Sequence, residues 1–384
     1  MWNRKSILPI VLVVLLVSVV FGAKVAYAQQ PNGIAVHELL RGSQPNYIDI
    51  PSVDGNVVLK CDFHIHTVFS DGLVWPTFRV EEAWRDGLDA IAITDHIEEH
   101  PSKKFVGGDQ NSSYEVALQE AKNRNILLIH GAEITRGQEG HYNALFLTDA
   151  NALNPKDFFE AVKAAAAQGA FIFWNHPFSL RPPEQSPWCE IQEKLLAEKL
   201  LHGIEVFNGE EWYPDALQWA QKRNLTVFAN TDIHGIVSEK YDLTQRHRPM
   251  TLVFAKAKTE EDLHEALRAG RTVAWFGDQL AGKQEHLTAL VRACLEWEVV
   301  PEGDGSKFRV TVRNLSDIPF VIESKEAKMR GRVYLGPKDS ASHVLPFKPS
   351  GDVLITNAYV GRNECLAVNL VKSSPDAAET PRSQ

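Results

Sequence analysis

Residues 57–67 read VVLKCDFHIHT, and this stretch decides the fold. A short branched apolar run is what a buried strand requires, and the two histidines that follow stand at i and i+2. Alternation along a strand then turns His64 and His66 to one face, where they can grip one cation. Working outward, the design recurs. Run 90–94 ends in Asp95-His96, run 126–129 leads into Glu133, and Gly140-His141 opens a run that continues through 144–147. Run 170–174 ends in Asn175-His176-Pro177, and run 226–230 ends in Asp232-Ile233-His234, a second i, i+2 pair. One further run, 203–207, carries Glu205 and is followed by Asn208.

Between these runs, segments 79–85, 114–124, 157–168, 191–201 and 214–222 place apolar residues at three-to-four spacing, as helices packing one face on a sheet do. Segment 260–269 adds one more helix, stopped by Gly270. Alternating strand and helix predict an α/β fold, either a (β/α) barrel or a doubly wound sheet, with buried parallel strands. After residue 285 the pattern turns to strand-like runs at 295–300, 308–312, 320–323, 331–335, 352–359 and 365–370, with no helical period, which predicts a small β-sandwich.

The chain has 384 residues, 44% hydrophobic and 23% charged, enough for a large and a smaller domain. Residues 1–28 combine Arg4 and Lys5, an apolar run and Ala26-Tyr27-Ala28, the order of a cleaved signal peptide. The expected organisation is a signal segment 1–28, a lead-in 29–56, a barrel 57–283, a sandwich-like domain 284–372 and a disordered polar tail 373–384. Export to the periplasm or medium, with no membrane span left after cleavage, follows from that reading. The rest of the chain has 37 basic and 49 acidic residues, a formal charge of −12, which disfavours a nucleic-acid or membrane-surface partner. Cys61, Cys189, Cys294 and Cys365 form no C-x-x-C motif. A Cys294–Cys365 bridge is left open, as is a homo-oligomer formed through the β-rich domain.

Metal-type ligands thus stand at the end of nearly every expected strand of the barrel, the face on which such barrels build their sites. The inventory is His64, His66, Asp71, His96, Glu133, His141, His176, Asp232 and His234. So many imidazoles and carboxylates gathered without cations would be costly to desolvate. The remaining histidines are read as ordinary polar residues, with His100 the nearest to the set. Asp95 is expected to orient a ligand or carry a proton, and Arg136 to hold a phosphoryl oxygen or form a surface salt bridge. Glu205 and Asn208 are candidates for substrate contact, and Trp75, Trp174 and Trp212 for walls of the pocket or core packing. There is no G-x-S-x-G elbow, Walker A loop or cysteine nucleophile motif.

The strings Asp62-Phe63-His64-Ile65-His66-Thr67, Ser70-Asp71-Gly72 and Ala92-Ile93-Thr94-Asp95-His96, with Glu133, His176 and Asp232-Ile233-His234, resemble the PHP (polymerase and histidinol phosphatase) family over residues 57–275. Val74-Trp75-Pro76, residues 173–177 and residues 313–320 are further similar to the exported Sb-PDE-like bacterial phosphodiesterases. The resemblance implies a distorted seven-stranded (β/α) barrel and two or three divalent ions, Mn, Zn or Fe. It places one ion with His64, His66, Glu133 and Asp232, a second with Glu133, His141 and His176, and a third with Asp71, His96 and His234. Some family members carry histidine where Asp71 stands, and a carboxylate there favours a harder ion. A water shared by two ions would then be the nucleophile of a phosphoester hydrolase. The expected substrate is a small phosphodiester. A phosphomonoester, or loss of catalysis in an exported metal- or ligand-binding protein, are the alternatives.

Overall fold

β1 (Val57–Asp62) forms where the branched run lies, and it pairs in parallel with β2 (Ala90–Ile93), which pairs in parallel with β3 (Leu127–Arg136). Helices α1 (Pro76–Arg85) and α2 (Ser112–Arg124) make the crossovers. This is a computed structural model, and it describes residues 45–136, 140–154, 156–178, 188–242, 247–325 and 331–370. The signal segment 1–28, the lead-in up to residue 44 and the polar tail 373–384 lie outside the described residues. Among the described residues no helix is long and apolar enough to cross a membrane.

β4 (Gly140–Leu145) corrects one expectation: it runs antiparallel to both β3 and β5 (Phe171–Trp174), reached through α3 (Phe158–Ala167). A run of four apolar residues has the same composition in either direction, so nothing local marks the reversal. After α4 (Glu190–Ala197), β6 (Gly203–Asn208) restores parallel pairing with β5. It turns into the two-residue β7 (Glu211–Trp212), and after α5 (Pro214–Arg223) it pairs in parallel with β8 (Thr226–Asn230). A short helix α6 (Val237–Lys240) precedes β9 (Met250–Ala255), antiparallel to β1. α7 (Glu260–Arg268), stopped by Gly270 at φ 71°, leads to β10 (Thr272–Phe276), antiparallel to β9.

Side chains tie β8 back to its neighbours. The Thr251 hydroxyl donates to Ala229 O (2.9 Å) and accepts from Ala229 N (3.0 Å), while the Thr272 hydroxyl donates to Val227 O (2.9 Å). Asn230 Oδ1 accepts from Phe63 N (2.9 Å). The result is the distorted α/β barrel expected, closed partly by hydroxyls and an amide. Its interior is filled by phenyl rings: Phe228 stacks on Phe173 (centroids 4.3 Å) and meets Phe63 edge-on (5.9 Å).

β11 (Gln279–Gly282) completes a hairpin with β10. The next element, α8 (Gln284–Cys294), overturns the expectation of strand alone beyond residue 285. Leu287, Leu290, Val291 and Cys294 are its buried stripe. β12 (Leu295–Glu302), β13 (Lys307–Asn314), β14 (Phe320–Ser324), β15 (Arg332–Leu335), β16 (Ser340–Leu345), β17 (Asp352–Gly361) and β18 (Glu364–Asn369) follow. They form a β12-β13-β16 sheet and a β15-β14-β17-β18 sheet, the β-rich C-terminal part. β11 pairs in parallel with β17, so the barrel's sheet continues into it. All four cysteines are free, Cys294 and Cys365 included.

Beneath the strand ends, fully buried Arg248 reaches Asp62 (2.6 Å) and Asp86 (3.1 Å). Asp62 in turn accepts from the Thr231 hydroxyl (2.6 Å) and the His64 N–H (3.3 Å). Removing one partner of a buried ion pair leaves an uncompensated charge. Arg248→Met is therefore expected to lower the unfolding free energy by about 3–5 kcal/mol in urea titration; a loss of under about 1 kcal/mol would mean the pair is dispensable.

Candidate metal centre

The nine side chains named from sequence converge on the strand-end face. Glu133, in β3, is wholly buried among five imidazoles. Its Oε2 lies 3.0 Å from His64 Nε2, 3.2 Å from His66 Nε2 and 3.4 Å from His96 Nδ1. Its Oε1 lies 2.9 Å from His141 Nδ1 and 3.7 Å from His176 Nε2. Asp232 Oδ1 faces the same Nε2 atoms of His64 (3.2 Å) and His66 (3.0 Å), and its Oδ2 lies 3.8 Å from His176 Nε2. At the outer edge, Asp71 meets His234 Nε2 (3.1 Å) and His96 Nε2 (3.7 Å).

Ligand atoms within reach of one ion fall into overlapping groups: His64, His66 and Glu133; His64, His176 and Asp232; His96, Glu133 and His141; and His66, Asp71, His96 and His234. The first two unite the set implied by resemblance for one ion and draw in His176. The last gathers Asp71, His96 and His234 and adds His66. This donor set fits divalent cations: imidazole nitrogens and carboxylate oxygens in one buried place are the ligands such ions prefer. His66 Nε2, Asp71 Oδ1 and His141 Nδ1 are moreover buried without a well-aligned hydrogen bond.

A second layer fixes these ligands, as metal sites require. Glu205, expected to touch substrate, is instead wholly buried behind the histidines. Its Oε1 accepts from Asn230 (2.9 Å) and faces His64 Nδ1 (2.9 Å), and its Oε2 accepts from the His176 N–H (2.7 Å) and from Asn208 (2.9 Å). Asn175 donates to Glu133 Oε1 (2.9 Å), and Thr135 Oγ1 lies 2.6 Å from His96 Nδ1. Buried Arg79 uses all five N–H donors, on the carbonyls of His66, Ile233, His234 and Gly235 and on Glu82. It locks the two i, i+2 pairs together. His176 (φ 21°) and Asp232 (φ 51°) are held in the left-handed region, which residues with a Cβ rarely adopt.

Asp95 does not face the cluster. Its carboxylate accepts from Thr67 N (2.6 Å), the Thr67 hydroxyl (2.7 Å) and the Ser70 hydroxyl (2.7 Å), so it clamps the turn carrying Asp71. Gly72 completes that turn because a Cβ there would lie 2.6 Å from the His66 backbone. His100 holds the same turn, its Nδ1 2.7 Å from Phe69 O. Arg136 Nε pairs with Glu98 (2.7 Å), the salt-bridge geometry of its two readings. Trp174 packs in the core, stacked on Trp219 (6.0 Å), while Trp75 stands 46% exposed at the rim against Phe69. Beside His176 and Asp232 opens a cleft of about 460 Å³, lined by Asn208, Gly209, Glu210, Glu211, Tyr213 and Lys240. Sequence reading missed the supporting roles of Arg79, Asn175 and Thr135, none of which carries a local signal.

Comparison with known proteins settles the family. The PHP domain matches residues 62–198. A two-domain protein from Bacteroides vulgatus, containing a predicted PHP-like metal-dependent phosphoesterase, is 38% identical, with a TM-score of 0.81 over 85% of this chain and 98% of its own. This chain belongs to the PHP family. Within it, the chain falls with the PHP-like metal-dependent phosphoesterases. Two uncharacterized proteins of Methanocaldococcus jannaschii are also similar. One is 28% identical over 39% of this chain and 82% of its own length, the other 32% identical over 28% of this chain and 46% of its own.

In the metal-free PHP site, electrostatics are finely opposed. Burial disfavours charge on His64, but Asp232, Glu133 and Glu205 outweigh it and hold its pKa well above the ordinary value. For His66 burial likewise opposes, yet the bonds to Asp232 and Glu133 raise it to about 9. Burial lowers His96 to about 4, with His66 and His141 adding to the effect against Glu133 and Asp71. Burial pushes Glu133 and Asp232 upward, but the surrounding imidazoles hold both well below the carboxylate range. His66 raised from about 6.5 to about 9 stabilises the metal-free fold fully below pH ~6.5, and that contribution is lost as pH rises through ~9. The metal-free protein is therefore expected to lose melting temperature between pH 6.5 and 9. Metal uptake at pH 7 is expected to release protons, read from the buffer dependence of the calorimetric enthalpy. A flat melting profile with buffer-independent enthalpy contradicts this balance.

Proposed function

We propose that this chain is a phosphodiesterase that takes up one phosphodiester and one water and releases a phosphomonoester and an alcohol. The observation that carries the reading is the charge pattern: a cluster able to hold cations opens onto a cleft with one lysine and no arginine among its described lining residues. Three divalent ions against Asp71, Glu133, Asp232 and one hydroxide would leave a formal charge of about +2. That suits the single negative charge of a diester, whereas a monoester dianion calls for additional cationic side chains. Arg136, on the strand that carries Glu133, is engaged by Glu98.

When bound, two or three ions such as Mn, Zn or Fe supply Lewis acidity towards the phosphoryl oxygens and make water a competent nucleophile near neutral pH. The chain's own residues hold and orient. Glu205 fixes His64 and the His176 backbone, Asn175 fixes Glu133, and Arg79 and Asp95 fix the loops bearing His66, Asp71 and His234. The basic, apolar and small-residue order of residues 1–28 makes export part of the same reading.

With Mn or Zn loaded, kcat/KM for bis(p-nitrophenyl) phosphate is expected to exceed that for p-nitrophenyl phosphate by roughly tenfold or more. The reverse order would make the enzyme a monoesterase, and a metal-replete protein inert to both would make it a binding protein. Independently, His64→Ala with His66→Ala is expected to strip metal, read by elemental analysis, and to abolish turnover. Full activity in that double variant removes the metal assignment.

A further inference from the structure

Resting on the diesterase reading, we infer that the cleft beside His176 and Asp232 is a subsite for a neutral, hydroxylated alcohol, of glycerol or sugar type, carried by the diester. The eight described residues lining the cleft include no aliphatic side chain, so an alkyl or lipid group gains little from entering it. Its lining is of mixed sign. Glu211 and Lys240 both stand exposed in it. The Lys240 ammonium lies over Gly209, so close that a Cβ there would be 3.0 Å from Nζ, and no carboxylate among the described residues pairs with it. A second anionic group would meet the Glu211 carboxylate, and a cationic one would meet the lysine. A neutral hydroxyl suits both groups, donating to the carboxylate and accepting from the ammonium.

The wall bearing these groups is fixed from behind. The Tyr213 hydroxyl donates to Glu211, and Trp212 stacks on Phe207 (4.6 Å). From the C-terminal part, Tyr359 packs on Trp212 (5.5 Å), and Arg362, beyond it in β17's turn, pairs with Asp215 at the start of α5 (2.8 Å). The β-rich domain thereby braces the cleft, a task that β17 performs from outside the barrel.

The test uses the metal-loaded full chain and p-nitrophenyl diesters whose second alcohol is glyceryl, methyl, n-butyl or 2-aminoethyl. The glyceryl diester is expected to show kcat/KM roughly tenfold or more above the butyl one. Glyceryl phosphate is expected to bind more tightly than butyl phosphate by calorimetry. Lys240→Met and Glu211→Gln are expected to collapse the glyceryl-to-methyl ratio towards one, mainly through KM. Arg362→Glu, at the surface and remote from the ligands, is expected to reduce the same ratio with metal content unchanged. Butyl or aminoethyl preference, or a ratio untouched by Lys240→Met and Glu211→Gln, overturns the subsite while leaving the diesterase reading intact. No turnover of any diester overturns both.

Discussion

Five imidazoles surround one buried carboxylate, and the rest of the molecule is arranged around that fact. Glu133 has no exposure to water, and an isolated charge there would protonate. It stays ionised because His64 and His96 act on it through space and His141 and His176 bond to it, against the pull of burial. The histidines are in turn held in opposed states, His66 raised to about 9 and His96 lowered to about 4, since neighbouring rings cannot all carry charge. His66 stacks within 4.5 Å of His96 and 4.2 Å of His234. Such a cluster is stable only if its geometry is imposed from outside it, because its members would otherwise move apart or take up protons.

The imposing structure is polar and buried. Arg79 binds four carbonyls on two strand ends, two of which, those of Ile233 and His234, also accept from the His66 and Leu73 amides. Glu205 does the same for His64 and His176, and Asp95 for the turn that presents Asp71. The unfavourable φ values of His176 and Asp232 are consistent with this: the loops are overdetermined by hydrogen bonds, and the backbone accepts strain at the ligands. Arg248 works one layer lower, anchoring Asp62 and through it the His64 and Thr231 amides.

The ligands themselves were legible in the sequence because strand alternation is rigid: i, i+2 pairs such as His64/His66 and Asp232/His234 have one geometric meaning at a strand end. What surrounds them was not. Which face a side chain presents depends on neighbouring strands, so Glu205, a candidate for substrate contact, stands instead behind the histidines, while Asp95 orients the turn of Asp71 rather than facing the cluster. The reversal at β4 has no local signal. α8 did have one, a stripe of Leu287, Leu290, Val291 and Cys294, but it passes into β12 at Leu295 with no glycine or proline to mark the change. β16 is a mostly exposed strand of polar composition, so no buried alternation announces it.

The continuity of the sheet bears on how the two parts of the chain share the work. β10 and β11 leave the barrel as a hairpin, and β11 then pairs with β17, so the C-terminal strands extend a layer already present. Asn357 of β17 donates to Pro319 O (3.0 Å), binding the strand to the loop before β14, while Tyr359 two residues on rests against Trp212. A domain attached through its backbone ladder cannot tilt without breaking hydrogen bonds. A domain tethered by a linker alone could swing and would leave the wall of the cleft unsupported. Barrel loops carry the candidate ligands and must hold their geometry, while the β-rich part, sharing sheet and core with the barrel, must hold the cleft wall through Tyr359. The β7 turn, set between Asn208 on the ligand side and Trp212 against Tyr359 on the other, is where those two demands meet.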